Sequence, residues 1–263
     1  MSEQTVLYSV AGGIATITLN RPELHNAFNE IVIGELTRLF EKAGEDKSVR
    51  VVVLRGEGKS FSAGGDLNWM RRMADYTYQQ NVNDAMRLGT LLKTINTLPK
   101  PTIALVQGNA FGGGVGLTAC CDIAIAEEGA QFCLSEVRIG LIPSIIAPYV
   151  MAAIGSRQAR RYFLTAERFD ANVAARIGLV HDVCPKGGLD EARDRIVAAI
   201  LDGAPLAQKR GKNVILGIAG RAIDEEMIKF TVEQIAEARA SDEGKEGLSA
   251  FLNKTEPAWR KKG

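Results

Sequence analysis

The chain has 263 residues, 46% of them hydrophobic and 24% charged, with a formal net charge of +1. That balance suits a globular protein with a full buried core, one large domain or a domain with an appendage, and gives no overall bias toward nucleic acid or an anionic membrane. No apolar run approaches the roughly 20 residues that span a bilayer. Cys120, Cys121, Cys133 and Cys184 lack paired metal-ligand spacing, and the opening Met1–Val6 has no signal-peptide layout, so a reduced cytoplasmic protein without a metal is expected.

In chain order, Val6–Val10 and Ile14–Leu19 around Ala11-Gly12-Gly13 read as a hairpin of two strands. Asn20-Arg21-Pro22 breaks the pattern. Asn26 is expected to cap a helix whose apolar stripe, Phe28, Ile31, Leu36, Leu39 and Phe40, runs to about Ala43. His25, in the preceding loop, is expected to be solvated. The β-branched run Val49–Arg55 reads as a buried strand feeding the small-residue turn Phe61-Ser62-Ala63-Gly64-Gly65-Asp66, where Asp66 can cap a helix from Leu67. The polar stretch to Asp84, with Trp69, Met70, Met73, Tyr76 and Tyr78, is either a plain helical connection or a mobile wall beside a site. Met86, Leu88, Leu91, Leu92 and Ile95 mark a helix stopped near Leu98 by Pro99 and Pro101.

The segment Pro101–Asp122 carries the most chemistry. An apolar run ends at Gly108, and Gly112-Gly113-Gly114 then opens a short apolar helix. Glycines at a strand-to-helix junction let a ligand approach the main chain, and first-turn amides have no acceptor within their own helix. One amide from this turn and one from the Ser62–Asp66 turn, if they converge, make an oxyanion hole; the plain alternative is tight packing of helix on sheet. Gly114-Val115-Gly116-Leu117-Thr118-Ala119 also fits a dinucleotide fingerprint, with Glu136 lying 22 positions after Gly114. However, the helix should end by about Cys121 and the acid follows a second strand, which argues against that reading.

Asp122–Ala126 and Gln131–Leu134 read as strands. Glu136 then sits at a strand end among apolar residues, where burial raises a carboxyl pKa toward the range needed for acid and base work near neutrality; the alternative is an ion pair with Arg138. Ala147–Ile154, Arg157–Leu164 and Ala171–Ile177 read as short helices, and Gly178–Val183 as a short strand or link with a structural His181. Helices follow over Leu189–Leu201, Pro205–Ile218, Ile223–Arg239 and Glu243–Leu252. The change of composition divides the chain into an α/β core, 1–188, and a helical region, 189–263.

Leu19–Phe28, Ser62–Asp66, Gln107–Gly114 and Cys121–Ala126 together resemble the enoyl-CoA hydratase/isomerase (crotonase) superfamily, over nearly the whole chain. The resemblance implies a crotonase-like α/β fold of repeated ββα units with a helical C-terminal trimerisation region. It implies oxyanion amides on Ala63 and Gly113 and a catalytic Glu136. Arg21, Leu24, Gly64, Gly65, Asp66 and Leu67, with those two amide residues, would bind an acyl-CoA substrate. The CoA belongs to the substrate, so no separate cofactor is expected. It further implies a homotrimer or dimer of trimers, with Phe251 and Lys254 reaching the CoA of an adjacent site, and no nucleic-acid or membrane partner.

Two departures stand out. Gly116 occupies the position where two-glutamate hydratases of the family carry their second acid, and Ser144-Ile145-Ile146-Ala147-Pro148 departs from the common pattern of its loop. Phe132–Pro143, Ile146–Val150 and Ala159–Asp170 resemble the branch acting on 3-methylglutaconyl-CoA. The expected reaction is therefore reversible syn hydration of a glutaconyl-type 2-enoyl-CoA, with Arg71, Arg72 or Arg138 as a pocket cation for the distal carboxylate. The alternatives are an enoyl-CoA isomerase using Glu136 alone and a catalytically silent acyl-CoA-binding relative.

Overall fold

The computed structural model describes residues 4–260. Strands β1 (Val6–Ala11) and β2 (Ile14–Leu19) pair antiparallel around Gly12 and Gly13, whose φ values of 56° and 80° favour glycine. Strands β3 (Val51–Gly56), β4 (Thr102–Val106), β6 (Ile123–Glu127) and β9 (Asp182–Cys184) extend this pair by parallel pairing into a six-stranded sheet, ordered β1-β2-β3-β4-β6-β9. A second sheet of three strands contains β5 (Asn109–Phe111), β7 (Gln131–Cys133) and β8 (Phe169–Asp170).

Both faces of the main sheet are covered, which is why its central strands are continuous apolar runs rather than alternating ones. Val52, Leu54, Ala104 and Val106 face one core, shared with α1 (Glu30–Glu45), α3 (Tyr78–Asn96) and α4 (Gly113–Cys120). Val51, Val53, Ile103 and Leu105 face the other, against Leu189, Ala192, Val197 and Ile200 of α7 (Leu189–Asp202). Helices α8 (Pro205–Ile218), α9 (Glu225–Ala240) and α10 (Asp242–Asn253) complete the chain, leaving Ile228, Val232, Ile235, Phe251 and Leu252 exposed. Among the described residues no helix is long and apolar enough to cross a membrane.

Several local expectations are corrected. The cap of α1 is Asn29, which accepts from the Ile31 and Val32 amides. Asn26 is instead buried with φ 54°, and its amide group donates to the Glu57 and Ser60 carbonyls at 2.8 and 2.7 Å, clamping two loops together. The polar stretch after Asp66 is helical: α2 (Leu67–Met73), a short link, and the first turns of α3, started by a Thr77–Gln80 capping box. The helices expected at Ala147–Ile154 and Arg157–Leu164 are both present as the two halves of α5 (Ala147–Thr165), which meet at a kink at Gly155 with φ 72°. His25 is exposed as expected, and its Nδ1 lies 3.1 Å from Ser60 Oγ. His181 is structural as expected, accepting the Ala124 amide at 3.1 Å.

Candidate active site

The turn Ser62–Asp66 and the start of α4 meet at one end of a cavity of about 540 Å³. Trp69, Met70 and Met73 of α2 and Asn81, Asp84 and Leu88 of α3 line one side, and the segment from Ser135 to Ile146 closes the other. The polar stretch that the sequence left between two readings is thus a helical wall of this cavity. Trp69 is buried and its indole donates to Asp84 at 3.2 Å, fixing α2 against α3.

Within the first turn, hydrogen bonding decides which backbone donors remain free. The Ser62 amide donates to Asn109 O at 3.0 Å, Ala63 to His25 O at 2.9 Å, and Asp66 to Phe28 O at 3.0 Å. Gly64 donates to Ser62 Oγ at 3.2 Å. The expected oxyanion donor on Ala63 is therefore corrected, because its N–H is already bound within the protein. The amide of Gly65 is the one in this turn with no acceptor among the described residues. Gly64 has φ 90°, and a Cβ there would stand 2.9 Å from Phe111 O and 3.7 Å from Gly113 N, so a glycine is what lets the two turns close on each other.

The second donor comes from α4. Gly113 is its first residue, so its N–H has no acceptor within the helix, and it lines the cavity as expected. The turn before it is set by Gly112, with φ 49° and ψ −117°, whose own amide donates to Cys133 O at 2.8 Å. A Cβ on Gly112 would lie 3.1 Å from Glu136 Oε1. The glycine run thus brings the carboxylate of Glu136 against the same main chain that presents the free amide.

Glu136 begins a short 3-10 turn, Glu136–Ile139, rather than ending a strand. Its Oε2 is buried and has no hydrogen-bond partner among the described residues, and burial pushes its carboxyl above the usual range. Pairing with Arg138 does not occur, since Arg138 donates to Ala166 O. A desolvated, unpaired carboxyl facing a cavity is a group poised to exchange protons.

Asp66 caps α2 through the Asn68 and Trp69 amides and pairs with Arg21 at 2.9 Å. Burial alone would raise its carboxyl, but the Trp69 amide, the Arg21 guanidinium and the Asn68 amide together hold it below its ordinary value. Arg21 also donates to Ala27 O at 2.8 Å, so its guanidinium fastens the loop to the turn. Leu24 and Leu67 are exposed, and Leu67 borders the cavity. Phe251 and Lys254, at the end of α10, do not line the cavity of their own chain.

The expected pocket cation is not found. Arg71 donates to Asn68, Arg72 pairs with Glu30 at 2.6 Å, and no lysine or arginine lines the cavity among the described residues. The position of Gly116 is also explained. A Cβ there would overlap the Cγ2 methyl of Ile146, so a buried isoleucine from the divergent Ser144–Pro148 segment fills the space a side chain at 116 would need. No group of metal-ligating side chains occurs among the described residues. All four cysteines are free and buried, and burial pushes the Cys121 thiol up to about 12.

A family model described as enoyl-CoA hydratase/isomerase matches residues 9–262. The short-chain-enoyl-CoA hydratase of Clostridium acetobutylicum is 31% identical over 260 residues, 97% of this chain and 97% of its own. The trans-2-decenoyl-acyl-carrier-protein isomerase of Streptococcus mutans is 29% identical over 264 residues, covering 98% of each chain. A crystal structure of an enoyl-CoA hydratase from Shewanella pealeana superposes with a TM-score of 0.95 at 44% identity, covering 97% of this chain and 96% of that one. With a family match over nearly its full length and two turns that bring free amides and a buried carboxyl to one cavity, the chain belongs to the enoyl-CoA hydratase/isomerase (crotonase) family.

Proposed function

We propose that the protein catalyses reversible hydration of a 2-enoyl-CoA thioester. The observation that carries this reading is the meeting, in one cavity, of the unpaired amides of Gly65 and Gly113 with the unpaired buried carboxyl of Glu136. The two amides receive the thioester oxygen, on which negative charge develops as the enolate forms. Glu136, ionised, takes a proton from water while the oxygen of that water bonds to C3. The protonated Glu136 then returns the proton to C2, so that water has been added across the double bond and the carboxylate is regenerated. This sequence draws on no metal or redox cofactor.

A second reading, isomerisation of a 3-enoyl-CoA, is supported by Gly116 and Ile146. Ile146 puts an apolar side chain where a second water-orienting group would stand, and one carboxyl suffices to move a proton between C2 and C4. The glutaconyl acyl group rests on the sequence resemblance. Its distal carboxylate would have to be met by neutral donors such as Asn81 and Ser144 rather than by a cation among the described residues. Assembly as a trimer or dimer of trimers is supported by the exposed apolar side chains of α9 and α10, which a neighbouring copy would cover.

Purified protein is to be assayed with 3-methylglutaconyl-CoA, crotonyl-CoA and a 3-enoyl-CoA, alongside Glu136→Gln. Loss of the conjugated enoyl-thioester absorbance with either 2-enoyl substrate, abolished by the substitution, is the result expected. Gain of conjugation from the 3-enoyl-CoA alone replaces hydration by isomerisation. No reaction with any of them leaves an acyl-CoA binder.

A further inference from the structure

Ile145 and Ile146, at the end of the segment that closes the cavity, each stand on a glycine of a neighbouring helix. A Cβ placed on Gly89 of α3 would lie 3.9 Å from Ile145 Cγ2. A Cβ placed on Gly116 of α4 would lie 2.9 Å from Ile146 Cβ and overlap its Cγ2 methyl, with Leu92 Cδ2 at 3.8 Å. Both isoleucines line the cavity, and Ile146 is 3% exposed. The side chain of Ile146 therefore occupies a socket made by the missing side chain of Gly116 and by Leu92, and it also forms part of the cavity surface. Interiors packed in this way do not absorb an added methyl without displacing its neighbour. The open side of this contact is the cavity.

We propose that Ile146, seated on Gly116, is a specificity-determining residue that sets how long an acyl chain the cavity accepts. This rests on the reading of the cavity as the acyl site. Truncating Ile146 removes cavity wall and lengthens the space toward α4. Adding a methyl at 116 drives Ile146 into the cavity and shortens it. The second effect is exerted through the Ile146 side chain, so it disappears where that side chain is truncated.

The test measures binding of butyryl-CoA and octanoyl-CoA, which lack the double bond and are not turned over, by calorimetry on the full chain. Wild type is compared with Ile146→Ala, Gly116→Ala and the double variant, each shown to be folded by circular dichroism. Ile146→Ala is expected to shift the ratio of affinities toward octanoyl-CoA by about tenfold, the lower end of what one methylene is worth in an apolar pocket. Gly116→Ala shifts it the other way, but in the double variant the ratio stays close to that of Ile146→Ala, because the side chain through which the added methyl acts is gone. If Gly116→Ala alone does not fold, recovery of a folded double variant with the Ile146→Ala ratio supports the proposal. An unchanged ratio in folded Ile146→Ala overturns it, as does a double variant in which Gly116→Ala moves the ratio away from that of Ile146→Ala by its full single-variant shift. Failure of the wild type to bind either acyl-CoA overturns the acyl-site reading and this inference with it, whereas binding with an unmoved ratio overturns the role of Ile146 alone.

Discussion

The Ala63 amide donates to the His25 carbonyl at 2.9 Å, and this bond decides which N–H of the turn is free to meet a substrate. Removing a single backbone N–H by amide-to-ester replacement separates the two positions. At Gly65 the ester is expected to lower kcat about 100- to 1000-fold with little change in stability, the usual consequence of deleting one oxyanion donor. At Ala63 the same change lowers stability by about 1 kcal/mol, the net worth of an ordinary hydrogen bond. Equal kcat losses at both positions would show that the donor was wrongly assigned. Gly65→Ala retains the N–H, and its Cβ meets Met70 at 3.7 Å, so near-normal activity is expected.

Glu136→Gln tests acid–base catalysis and stability together. Loss of the ionisable group is expected to reduce kcat by about 1000-fold or more. In the wild type, activity should fall as the pH drops through the raised pKa, because the base must be ionised to accept a proton. The effect on stability has the opposite sense. A carboxyl whose folded pKa lies above its unfolded value stabilises the fold fully below the unfolded pKa, and that contribution is lost as pH rises through the folded pKa. Glu136→Gln should therefore melt higher than wild type at alkaline pH, with the gap closing on acidification. A variant less stable than wild type at alkaline pH would contradict the burial argument.

Asp66 and Arg21 tie the amide-bearing turn to the loop before α1. Asp66→Asn keeps a helix cap but leaves Arg21 without its charge partner, and a loss of about 2–3 kcal/mol is expected in urea unfolding, since removing one partner of a partly buried pair costs more than the pair itself provides. The Asp66 carboxyl is held below its ordinary value, so its contribution is present above the unfolded pKa and fades as pH falls through the folded one. Acid unfolding of wild type should steepen below about pH 4, near the ordinary Asp pKa. The Asn variant should have a shallower slope there. Parallel acid profiles would remove Asp66 from the account.

Gly113→Ala places a methyl against the Phe28 ring, 3.2 Å from Cε1 and closer still to Cζ. With the Phe28 ring packed in the core and unable to yield, a destabilisation of about 1–3 kcal/mol is expected from overpacking. Phe28→Leu combined with it should recover part of that loss, which a pair of thermal denaturation curves would reveal. Additive losses would mean that the ring is not what excludes a side chain at 113.

None of the four cysteines should react with an aromatic disulfide reagent in the native protein at neutral pH, because all are buried and burial raises their thiol pKa values. Unfolding should expose four reactive thiols. Rapid labelling of the folded protein would indicate an opening of the core around Cys120 and Cys121.

Much of the architecture is legible in the chain because its signals are local. Alternating and continuous apolar runs mark β2, β3 and β4, and helix α8 begins and ends at the residues its pattern indicates, Pro205 and Ile218. Asp66 caps the helix that follows it, and Gly112 adopts a backbone conformation that side chains disfavour. The candidacy of Glu136 also comes from the chain, since an acid among apolar neighbours is a local anomaly. What the chain alone misplaced depends on partners distant along it. Asn26 resembles a helix cap until Glu57 and Ser60 are seen to accept from it. The family resemblance assigns the donor to Ala63, but His25 takes that N–H and leaves Gly65 free. Nothing near Gly116 in sequence reveals that Ile146 fills its place, and no spacing of arginines shows that each is directed away from the cavity. Local propensity and periodicity act within a few residues and determine which elements form. Which amide stays unpaired, and which side chain fills a given space, follows from packing between segments tens of residues apart, and only the tertiary structure decides it.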